Sequence, residues 1–138
     1  MELTLRSSTI ALLLLLFPSF LHTSHVQIAN VKAYRVSNHH EQLLPITRVV
    51  HIELEQVLDE VSQPIGTTHP SLPKDYLLFR LSSPVNTASV PHPIYELAVT
   101  LPKSIEDPPR LLIKNSAKEW REYRTNRPLT TIINQLEG

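Results

Sequence analysis

The sequence predicts a small single α+β domain, one helix followed by a short antiparallel sheet and C-terminal helices, placed after an N-terminal signal peptide. Three observations carry this expectation. A short apolar run, Ile10 to Phe17, follows Arg6 near the start; apolar residues recur at helical spacing from Ile46 to Val61; and from Tyr76 onward short apolar stretches alternate with prolines.

The first run is continued past Pro18 only to Leu21. A membrane helix needs about 20 apolar residues, whereas a signal-peptide core needs about 7 to 15, followed by small residues at a cleavage site. Val31-Lys32-Ala33 fits that small-x-small pattern, which gives a signal peptide of residues 1–33 and one exported domain of residues 34–138. A cut nearer residue 24, among His22 to Ser24, is the alternative. Either cut makes the working chain secreted or periplasmic, with membrane contact only transient. The rival is an uncleaved membrane anchor extended by Val26 and Ile28, which His22 and His25 oppose because polar rings resist burial in lipid.

Composition removes several function classes. There is no cysteine, hence no disulfide framework, thiolate metal site or cysteine nucleophile. The 13 basic residues match 13 acidic ones, and a neutral chain is a poor general binder of nucleic acid. Only Gly66 and Gly138 are glycine while 12 residues are proline, so turns that need positive φ must use other residues and long proline-bounded loops are expected.

Along the chain, Tyr34 to Ser37 reads as a short first strand and His39-His40-Glu41-Gln42 as the loop after it. Ile46, Val49, Val50, Leu54, Val57, Leu58 and Val61 then fall on one helical face between Pro45 and Pro64. Val50, Ile52 and Leu54 also alternate, so a strand running into a helix competes with the continuous helix. Residues 64 to 75, with Pro64, Gly66, Pro70 and Pro73, form a loop. Strands are expected over Tyr76 to Ser82, Ile94 to Leu101 and Leu111 to Lys114, with a weak edge strand over 85 to 90. In the second, Tyr95, Leu97, Val99 and Leu101 face one way and Glu96, Ala98 and Thr100 the other, as in a half-buried strand. Ser116-Ala117-Lys118-Glu119 matches a capping box and predicts a helix from Ala117. Pro128 interrupts it, and Leu129, Ile132, Ile133 and Leu136 continue at helical spacing.

Chemistry is sparse. The chain has no G-x-S-x-G elbow, phosphate loop or dinucleotide fingerprint. His39, His51, Glu53 and His92 are the candidates for a metal shell, although His51 and Glu53 share a face only in a strand. The stretch holding Lys118, Trp120, Arg121, Tyr123, Arg124 and Arg127 is basic with interleaved aromatics. Its first expected role is to cover the sheet with Trp120 and Tyr123, its second to dock an acidic partner. Residues 41 to 75 are acid-rich, so the two regions are expected to attract. The reading is therefore an exported, non-enzymatic protein that uses no cofactor and acts by contact with a protein or peptide, through a sheet face or edge. The alternative is a metal-binding or hydrolytic envelope protein.

Overall fold

A computed structural model describes residues 25–137. Its first strand, β1 (Val31–Ser37), turns directly into β2 (His40–Leu44). Asn38 and His39 close the turn with φ of 51° and 66°. Positive φ at both central positions matches the right-handed twist of the flanking strands, and Asn tolerates it better than most residues. His40 to Gln42, expected as loop, therefore belong to a strand. The misreading has a simple cause: β2 lies at a sheet edge, is largely exposed, and carries no apolar alternation to betray it.

Thr47 caps the next element, its hydroxyl oxygen accepting from the Val50 N–H at 3.3 Å, and α1 (Arg48–Asp59) follows as one continuous helix. Val50, Leu54, Val57 and Leu58 are buried as the spacing predicts, but Val49 and Ile52 stay exposed. Val61 is not helical: it opens β3 (Val61–Pro64), a short edge strand. After the loop come β4 (Asp75–Thr87) and β5 (Val90–Thr100), a long hairpin that absorbs the weak edge strand expected over 85 to 90.

Next is β6 (Leu111–Lys114), followed by the largest departure from expectation. Residues 120 to 125 form a strand, β7 (Trp120–Thr125), where a helix starting at Ala117 was expected. Asn115, one residue before the apparent capping box, organises the chain here. Its side-chain oxygen accepts from the Glu119 N–H at 2.9 Å, its backbone N–H donates to the Glu119 carbonyl at 2.8 Å, and Lys118 turns the chain with φ of 63°. Pairing with both β6 and β3 then overrides the local helical preference of Lys, Glu and Arg. Only one C-terminal helix forms, α2 (Thr130–Glu137), which buries Ile132.

Seven strands make one antiparallel sheet in the order β2-β1-β4-β5-β6-β7-β3, so the described residues are mostly sheet with two helices. Two strands precede α1, and the sheet is larger than the short one expected. Register puts Ala33, Phe79, Leu97 and Ile113 side by side across four strands. This inner face joins Leu54, Val57 and Leu58 of α1 and Ile132 of α2 in one hydrophobic core. Burial of large apolar side chains on that side dominates the stabilisation.

Residues 25 to 30 run along α1. The Val26 N–H donates to the Asp59 carboxylate at 2.6 Å, the Ile28 N–H to Glu55 at 2.8 Å, and the His51 ring meets the Ile28 carbonyl at 2.8 Å. The expected domain boundary after Ala33 falls inside β1, where Ala33 is fully buried between Leu44 and Phe79. The apolar run expected to be a signal peptide lies before residue 25, outside the described residues. No helix among those described is long and apolar enough to cross a membrane.

Candidate functional site

On the opposite, outer face of the sheet the described residues place no helix. Leu78, Ala98 and Leu112 are cross-strand neighbours there and all are buried, as are Val36 and Thr100. β5 is thus covered on both faces from Leu97 to Thr100, which corrects the half-buried reading there, while Tyr95, expected on the buried side, is exposed. The proline-rich segment 65–74, a strap, runs on this side from β7 to the start of β4. Its first part follows β7, with the Ile65 N–H donating to the Glu122 carbonyl at 2.8 Å and the His69 ring 3.3 Å from the Trp120 carbonyl. Its second part crosses to β4. There Leu72, Pro73 and Lys74, together with Tyr76, Trp120, Asn38 and His39, line an open hollow of about 370 Å³.

A row of alternating charges runs beside this hollow across the face. Glu41 accepts two bonds from Arg80, at 2.6 and 3.0 Å; Arg80 also donates to Glu96 at 2.9 Å; and Lys114 donates to the other Glu96 oxygen at 2.8 Å. Lys114 in turn sits 5.4 Å from the Trp120 ring centre, and Arg80 lies 4.9 Å from that of Tyr34. Through Lys114 the row reaches Trp120, one of the residues that line the hollow. Burial alone would raise the Glu96 carboxyl, but Lys114 and Arg80 outweigh it and hold the group below the ordinary carboxylate range. Burial, reinforced by the Glu41 charge, pushes the Tyr76 hydroxyl above the usual phenol value, so at neutral pH it keeps its proton and can donate a hydrogen bond.

The hollow unites two residues that the sequence suggested for different reasons, Trp120 and His39. It does not gather the rest of the basic stretch, because a strand sends alternate residues to opposite faces. Trp120 shares the outer face with Lys114, whereas Tyr123 is buried in the inner core. Arg121 donates to the Gly66 carbonyl at 3.0 Å, and Lys118 and Arg124 are exposed. Arg127 forms a two-pronged pair with buried Glu53, at 2.8 and 3.1 Å, the one ion pair among the described residues that joins a base of the basic stretch to an acid of the region 41–75 as anticipated. The guanidinium is accordingly held above its ordinary value by Glu53.

The four metal candidates are dispersed. His39 sits in the β1–β2 turn, His51 faces Ile28 and Glu55, Glu53 points into the domain toward Arg127, and His92 meets the Pro93 carbonyl. His51 and Glu53 diverge because the segment is a helix. Among the described residues no group of three His, Cys, Asp or Glu side chains is placed to hold a metal ion.

The chain matches no family model, no curated protein and no solved structure. Its chemistry must therefore be argued from the site alone. Asn38, Leu72, Pro73, Lys74 and Tyr76 show no common pattern in the sequence because they come from two stretches far apart in the chain and meet Trp120 of a third only in the fold. The only local signals were an Asn where glycine is scarce and an aromatic at the start of a strand.

Proposed function

We propose that this chain is an exported, non-enzymatic protein that acts by contact with a peptide segment of a partner protein, received in the outer-face hollow. The observation that carries the reading is the composition of that hollow: an aromatic and apolar floor of Trp120, Tyr76, Leu72 and Pro73 beside a polar rim of Asn38, His39 and Lys74. Peptide sites combine apolar surface with a few orienting polar groups, and Trp and Tyr contribute most to affinity per residue. No nucleophile, base and oxyanion-donor set accompanies these residues in the hollow, so recognition describes it better than catalysis.

Selection of peptides from a random display library, followed by calorimetric titration of the enriched sequences, tests this. Binding to the wild type with at least a tenfold loss in Trp120→Ala and in Tyr76→Ala is expected, about 1.4 kcal/mol or more. Peptides that bind both variants as tightly as the wild type would remove the hollow from the reading.

Export is part of the same proposal, with the leader removed near residue 24. Such a cut keeps the residues that bond to Asp59, Glu55 and His51, whereas a cut after Ala33 would discard them and sever β1. N-terminal sequencing of the exported product is expected to start at or before His25; a start at Tyr34 would contradict this.

A further inference from the structure

The two edges of the sheet are treated differently. At the β3 edge Pro64 has no N–H to offer, the register with β7 shifts, and the chain continues alongside as the strap. Among the described residues the β2 edge has none of these protections. His40 to Leu44 contains no proline and no lysine, pairs with β1 without a register shift, and leaves Leu43 62% exposed. Soluble proteins usually blunt such an edge, because its free N–H and C=O groups template another strand.

We propose that β2 pairs in antiparallel fashion with β2 of a second copy of this chain. The register can be worked out from the turn. A two-residue hairpin makes Ser37 and His40 a hydrogen-bonded pair, and in an antiparallel ladder bonded and non-bonded pairs alternate. Gln42 and Leu44 therefore point their backbone groups toward β1, while Glu41 and Leu43 point theirs to the open edge. Pairing Glu41 with Glu41 of the second copy would set like charges opposite one another, which destabilises a sheet. Pairing Leu43 with its counterpart would bring Glu41 against Pro45, which has no N–H. The register that places Glu41 opposite Leu43 of the other copy, and Leu43 opposite Glu41, satisfies every outward group of those two residues. It also sets the two Leu43 side chains on the diagonal within mutual reach, while each Glu41 carboxylate stays turned toward its own Arg80.

A second copy fits this edge better than an unrelated strand because the edge complements itself when read backwards. The chain is also neutral, with 13 residues of each sign, so no net repulsion opposes association. With the β3 edge blocked, the pairing stops at a two-fold dimer and cannot grow into a filament. This inference is independent of the peptide reading, which uses a different surface.

Sedimentation velocity of the purified chain across a concentration series, with amide hydrogen exchange at both ends of the series, tests it. A monomer–dimer equilibrium is expected, with the Glu41 and Leu43 amides becoming protected as the dimer fills. Leu43→Pro removes only an outward donor and Leu43→Lys places two charges on the diagonal; both should weaken dimerisation by about tenfold or more, while Ile105→Lys, at a fully exposed loop residue, should leave it unchanged. Leu43→Lys alters a solvent-facing side chain and keeps every backbone bond, so it answers even if the proline variant misfolds. A chain that stays monomeric up to its solubility limit, or a dimer that both Leu43 variants leave intact, would overturn the proposal.

Discussion

The two faces of the sheet are built from the same strands and put to different uses. On the inner face Phe79, Leu97 and Ile113 lie under two helices whose own apolar stripes meet them, and the packing is continuous from α1 to α2. On the outer face a narrower buried strip, Leu78, Ala98 and Leu112, is accompanied by a charge row and an open hollow that the strap helps to line. A continuously packed core on one side and an open hollow on the other is the division that the proposed contact function calls for.

That contrast can be broken most forcefully by equal truncations on the two sides. Leu97→Ala leaves a void under helices that cannot settle into it and should cost about 4 kcal/mol, near the upper part of the range for buried leucine. Leu112→Ala lies on the outer face, where the described residues place no helix over it, and should cost about 2 kcal/mol. Urea denaturation of both variants provides the comparison, and equal losses would show that the outer strip is packed as tightly as the core.

A smaller effect sharpens the role of the charge row. Because the Glu96 carboxyl is held below its ordinary range in the folded protein, its pairs with Lys114 and Arg80 contribute stability above the unfolded value of about 4.3, and that contribution is lost as pH falls through the folded value. Glu96→Gln should therefore be slightly less stable at neutral pH, by under about 1 kcal/mol because the group keeps solvent contact. It should also lose less stability than the wild type between neutral and acid pH. Thermal melts over that interval check it; an unchanged acid slope would mean the row is not held by Glu96.

The same contrast explains which parts of the fold were legible in the sequence. α1 could be read because Val50, Leu54, Val57 and Leu58 all face one core, and the centres of β4, β5 and β6 because prolines bound apolar runs. β2 could not, since an edge strand with exposed polar residues has no buried face to impose a period. β7 was misread because Ser116 to Glu119 imitate a helix start, and only its neighbours β6 and β3 decide otherwise. The basic stretch consequently looked like one surface when it is two. The hollow was invisible for a related reason: Asn38, Leu72 and Trp120 are brought together by the strap's crossing, which no local pattern encodes.

Trp120 is the chain's single tryptophan, so its fluorescence reports on the hollow alone. Adding a library-selected peptide to the purified protein should move the emission to shorter wavelength and reduce quenching by acrylamide, as the half-exposed ring becomes covered. Saturating binding that leaves both the emission and the quenching unchanged would contradict the assignment of partner contact to this face.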